Sequence, residues 1–248
     1  MQQPLQPPQP SLVPTHYFPP APRKPPLNLA EWPIPSFRLR CEELEHPGAK
    51  LFFEHVNPVE LLREAVLAVF TWLYTEETVP RQVETVVLVL RAFDGAAHAT
   101  GADVYKEIHF NLDHIANSAS RVKDEVFGVL VHEMTHCYQY NGLGTCPGGL
   151  VEGVADWVRL HAGYRPPHWR EGGGDKWDAG YADTAFFLVW VEARYGYGIV
   201  RNLNLAMRGR RYDDVMFKEQ TGRKVASLWK EYRAYVESQG QGQKEAKS

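Results

Sequence analysis

Apolar residues along this chain follow the short runs of a sheet, with one helical stretch among them, up to about residue 112, and the three- and four-residue intervals of helices beyond it. Residues 37–41 and 50–54 predict short strands, and Asn57-Pro58 opens a helical pattern that runs to about residue 74. Val86-Val87-Leu88-Val89-Leu90 is an unbroken apolar run, as expected of a central strand covered on both faces. Over 105–112 the pattern alternates, with Ile108, Phe110 and Leu112 on one face and Tyr105, Glu107, His109 and Asn111 on the other. That predicts a half-exposed strand, suited to border a substrate cleft. Beyond it the spacing is helical. Val122, Val126, Val129, Leu130 and Met134 predict a buried helix over 121–140, closed by Asn141-Gly142. Further helices are expected near 150–161, 181–195, 199–208, 212–220 and 225–238. Strands first and helices after predict an α+β fold with a mostly antiparallel N-terminal sheet.

With 248 residues, 44% of them hydrophobic, the chain can bury one substantial core. A single domain is expected over 36–238, between a disordered Pro/Gln-rich arm at 1–35 and a disordered tail at 239–248. The 27 Lys and Arg against 30 Asp and Glu leave a net charge of -3, without the basic patch that nucleic acid requires. No apolar run is long enough to span a membrane. The first residues lack the cationic start and apolar stretch of a secretion signal, so a cytoplasmic location is the default. Three cysteines make no disulfide framework, and Cys137 with Cys146 reads equally as a bridge or as two buried thiols. The seven tryptophans are best read as core, because Trp157, Trp190 and Trp229 fall in amphipathic helices.

The chemistry lies inside the predicted buried helix. His132-Glu133-Met134-Thr135-His136 is an H-E-x-x-H sequence, and residues four apart share a helix face, so both imidazoles can converge on one zinc ion. Glu133 is placed beside them as general base, to take a proton from the attacking water and return it to the leaving amine. A catalytic zinc needs a third protein ligand. A third histidine six residues beyond His136 would mark a metzincin, but Gln139 and Gly142 occupy the diagnostic positions. Downstream, Glu152 and Asp156 share one helical face, where like charges repel unless a cation compensates them. Glu152 as ligand with Asp156 accepting a hydrogen bond from a ligand imidazole uses both. Asp156 or His161 as the ligand, or a solvated face with Asp156 paired to Arg159, are the alternatives. Gly172-Gly173-Gly174 is read as a turn, or as a mobile cleft wall.

Two stretches, LVHEMTHCYQYNGLGTCPGGLVEGVADWVRLHAG at 130–163 and HWREGGGDKWDAGYADTAFFL at 168–188, resemble the plant-type basic secretory protein family of zinc peptidases. The resemblance implies a gluzincin-like, zincin-type fold with a zinc site formed by His132, His136 and Glu152, and Glu133 as base. Thermolysin-like gluzincins similarly place Glu and Asp four apart on the downstream helix. The Tyr-led helix beginning at Tyr181 resembles the one that supplies an oxyanion-stabilising tyrosine in related aminopeptidases, which makes Tyr181 the favoured donor over His161, Tyr164 and His168. The family's name implies secretion and a basic protein, and the net charge of -3 departs from the latter. The expected function is a zinc metallopeptidase acting on peptide or protein substrates, with the 105–112 strand pairing with an extended peptide. The competing expectations are a non-catalytic defence or binding protein on the same scaffold, and a zinc amidohydrolase of a non-peptide amide.

Overall fold

The computed structural model describes residues 32–245, with side chains through residue 239. Most of the expected arm, and residues 246–248 of the expected tail, lie outside the described residues. Among the described residues the chain is α+β, with four strands and nine α-helices. Its contacts gather into two compact units, and one helix contributes residues to both.

One unit comprises residues 32–139 and 158–169. Its sheet joins β1 (Ser36–Cys41), β2 (Thr85–Arg91), β3 (Ala97–Gly101) and β4 (Tyr105–Asn111) in the order β1-β2-β4-β3. The pairs β1·β2 and β2·β4 are parallel and only β3·β4 is antiparallel. The sheet is therefore mixed, which corrects the mostly antiparallel expectation. The long connection from β1 to β2 permits parallel pairing, because two helices fill it as a crossover. In β2, Val86 through Leu90 are all buried, as the apolar run required.

The first crossover helix is α1 (Pro47–His55), at the place where a strand was expected for 50–54. His46 caps it by accepting from Gly48 N at 3.1 Å, and Pro47 supplies a preset φ at its first position. Only Phe52 of its large side chains is fully buried, while Phe53 is exposed, so one helical face suffices for so short an apolar run. Gly48 is required there: a Cβ would stand 2.0 Å from Leu112 O. The second helix, α2 (Pro58–Leu73), starts as predicted, with Asn57 Oδ1 accepting from Val59 N at 3.0 Å.

β4 lies inside the sheet, hydrogen-bonded to β2 on one side and β3 on the other. Its two faces are as the alternation predicts, with Ile108 and Phe110 buried and Tyr105, Glu107 and His109 more open, but it does not border the sheet, and the edge on this side is β3. That strand, Ala97-His98-Ala99-Thr100-Gly101, has no apolar alternation for sequence reasoning to detect. Asn111 ends β4 and caps the short α3 (Leu112–Asn117), accepting from Asp113 N at 2.9 Å. After a 3-10 turn comes α4 (Val122–Tyr138), buried over most of its circumference and ending slightly before the expected Asn141-Gly142 stop. Its last turn is anchored on α2. The Tyr74 hydroxyl donates to Tyr138 O at 2.6 Å, and Phe70 meets the Tyr138 ring edge-on at 4.9 Å.

The other unit comprises 140–157 and the residues from 170 onward. It holds most of α5 (Gly148–His161), then α6 (Tyr181–Tyr195), α7 (Ile199–Ala206), α8 (Val215–Thr221) and α9 (Val225–Glu245). The helix α9 continues to Glu245, past the boundary at which an unstructured tail was expected. Phe187, Trp190, Phe217, Trp229 and Tyr232 form a cluster of ring contacts, which is the packing role read for the tryptophans. The glycine run is a seated turn. Gly172 N donates to the Tyr232 hydroxyl at 3.2 Å, Arg233 donates to Gly172 O at 3.0 Å, and a Cβ at Gly173 would meet Asp183 Oδ1 at 2.1 Å.

Candidate metal centre

Three residues of α4 carry the motif. His132 and Glu133 are buried and His136 is half-buried. One turn of helix separates the two histidines, so their rings meet at 4.7 Å between centroids and their Nε2 atoms lie 3.0 Å apart. On α5, Glu152 stands near them. One ligand atom from each of His132, His136 and Glu152 falls within 4.8 Å of the others. Two imidazole nitrogens and one carboxylate oxygen are the donor set of a three-ligand catalytic zinc site, so the residues present fit that ion. Sequence reasoning named all three, and the fold brings them together.

Asp156 follows Glu152 by one turn of α5 and is buried, 2% exposed. Gln139, just beyond α4, was not expected beside these residues. Its amide Nε2 lies 2.9 Å from His136 Nδ1, the nitrogen facing away from the cluster. The three-residue interval from His136 was the available signal, since residues i and i+3 are neighbours on a helix surface.

Tyr181 opens α6 with φ at 45°, a left-handed conformation that costs a non-glycine residue of its size on the order of 1–3 kcal/mol. It is 60% exposed. The residue before it, Gly180, packs on the N-terminal half of α5: a Cβ there would lie 3.5 Å from Gly149 Cα and 3.9 Å from Glu152 Cβ. Tyr181 therefore follows directly on the segment that covers Glu152. The approach is close because α5 presents glycines to it. A Cβ at Gly149 would stand 1.9 Å from Asp178 O, and one at Gly153 would stand 2.2 Å from Thr184 Cγ2. Thr184 holds the turn, accepting from Gly180 N and donating to Trp177 O, each at 2.9 Å.

The rival donors have surroundings of their own. His161 is buried with its ring 4.6 Å from that of Trp72, Tyr164 stacks on Phe127 at 5.5 Å, and His168 is exposed. Burial pushes the Tyr164 hydroxyl up to about 12. Cys137 and Cys146 are both free thiols, each pushed up to about 12 by burial, which closes the question of a bridge between them.

A family model, BSP, described as peptidase of plants and bacteria, matches residues 34–232. Searches of the curated proteins and of the solved structures found no match.

Proposed function

Since this chain belongs to the BSP family, the peptidases of plants and bacteria, we propose that it is a zinc-dependent metallopeptidase of the gluzincin type. The observation that carries this reading is the convergence of His132, His136 and Glu152 around the H-E-x-x-H turn of α4. These three residues would hold the metal, with Asp156 and Gln139 orienting the imidazoles from behind. A zinc ion held there would supply Lewis-acid chemistry, polarising a carbonyl and lowering the pKa of water.

The remaining work belongs to the chain's own groups. Glu133 sits between the two histidines in sequence, is buried, and acts as general base: its carboxylate takes the proton of the attacking water and delivers it to the leaving amine. Its burial keeps bulk water from competing for that proton. Tyr181 donates its hydroxyl to the oxygen on which negative charge grows. Its strained backbone and its place directly after the Gly180 contact with Glu152 favour it over Tyr164, whose ring packs on Phe127. The peptide backbone is taken by β3. It is an edge strand that packs beside α4, and among the described residues it pairs with β4 alone, which suits it to an added strand.

Metal content and cleavage of a quenched peptide library test the reading together. The parent chain should hold about one zinc and cleave. Glu133→Gln should keep the zinc and lose turnover by about a hundredfold or more, the scale of a general base. Glu152→Ala should lose both. A parent without zinc, or a fully active Glu133→Gln, would sink the assignment.

A further inference from the structure

Glu125, Gly128, His132 and His136 recur at three- and four-residue intervals and so share one face of α4. On α5, Glu152, Asp156 and Arg159 do the same. At one end of these faces stands a charged cluster that the proposed chemistry does not use. The Arg159 side chain is only 8% exposed. Its Nη2 lies 3.5 Å from Glu125 Oε2, its Nε donates to Tyr164 O at 3.1 Å, and its guanidinium carbon lies 5.2 Å from the Trp169 ring centroid. The group occupies a notch made by a missing side chain, since a Cβ at Gly128 would stand 2.6 Å from Arg159 Nε. Glu125 is held in turn by His114 at 3.1 Å and by Arg121.

We propose that Arg159 is a positioning residue for the metal centre: seated on Glu125 and Gly128, it fixes the register of α5 on α4 and so sets Glu152 against His132 and His136. The proposal rests on the metal-site reading above. The spacing supports it. From Arg159 back to Glu152 is seven residues, and from Glu125 forward to His132 is also seven, about 10 Å of helix in each case. On each helix the anchoring residue and the ligand are therefore the same axial step apart. Slippage of α5 by one residue would turn Glu152 away by about 100°. A guanidinium held at three sites in a glycine notch resists that slippage as lysine cannot, because its planar fork spans the carboxylate and a carbonyl together.

The test is equilibrium zinc titration of the full chain against a chelating indicator, with thermal stability measured separately in excess chelator. Arg159→Met should weaken zinc binding by about ten- to hundredfold, the range seen when residues that orient metal ligands are removed. Gly128→Ala, which drives the guanidinium from its notch, should weaken it comparably, and adding it to Arg159→Met should cost little more, because both act on one contact. Phe52→Ala in α1 should lower stability and leave zinc affinity within about twofold of the parent. A folded Arg159→Met chain that binds zinc as the parent does overturns the proposal, as does an equal loss in Phe52→Ala. If Arg159→Met does not fold, Glu125→Gln decides by the same criterion. A parent that binds no zinc overturns the site reading and this proposal with it, whereas tight parental binding unchanged in the variants overturns this proposal alone.

Discussion

His132, Glu133 and His136 could be picked out by eye because helix geometry alone puts positions four apart on one face, and nothing distant is needed to bring them together. Gln139 shows the limit of that reasoning. It was noticed only as the residue that rules out a metzincin, yet its amide lies against His136 Nδ1. The structure turns the amide nitrogen to Nδ1; an amide flip would let the oxygen accept the Nδ1 proton, which would fix the tautomer and leave Nε2 free to bind a metal. Gln139→Ala should therefore weaken zinc binding by about tenfold or more while Gln139→Glu retains it, read by the same indicator titration. Equal affinities in all three chains would remove Gln139 from the site.

At the scale of elements, long amphipathic helices were legible and short elements were not. The run 50–54 resembles a strand because five residues are too few to distinguish a period of 2 from one of 3.6. What makes it a helix is the His46 cap, Pro47, and the tight seat of Gly48 on Leu112. β3 carries almost no apolar signal, and it forms because β4 offers it a hydrogen-bonding edge. The packing of α5 on the start of α6 is likewise a matter of pairs distant in sequence. Gly153→Ala should destabilise the fold by about 1–3 kcal/mol through overpacking against Thr184. Adding Thr184→Ser, which keeps the hydroxyl and removes the Cγ2 atom, should recover part of that loss in denaturant titrations. A fully stable Gly153→Ala would show that the contact is looser than the structure has it.

For the molecule as a whole, two carboxylates, Glu125 half-buried and Glu192 buried, give stability opposite dependences on pH. Glu125 is held down at about 2 by its hydrogen bond from His114 and the charges of Arg159 and Arg121. The unfolded chain therefore binds the extra proton between about pH 2 and 4.5, and up to about 3 kcal/mol of stability is lost as pH falls through that window. Glu192 is pushed up to about 7 by burial, although it accepts from Gly198 N and Val200 N at the start of α7. There the folded chain holds the extra proton, so stability falls as pH rises from about 4.5 through 7. Thermal scans in chelator should show Glu192→Gln flattening the decline between pH 5 and 8, and Glu125→Gln flattening the acid limb at a cost in stability above it. An unchanged profile in either variant would refute that assignment.

Sequence by itself determined the α+β class, the long helices, the apolar central strand and the H-E-x-x-H turn, because each depends on periodicities within some twenty residues. It also supplied Glu152 and Asp156, through their shared helical face and a family resemblance. Tertiary structure alone decided that the sheet is mixed, that β3 and not β4 lies at an edge, that Cys137 and Cys146 stay apart as thiols, that Gln139 lies against His136 and that Arg159 lies against Glu125. Those outcomes depend on which residues meet across long stretches of chain, and a local pattern of polar and apolar positions does not encode the partner.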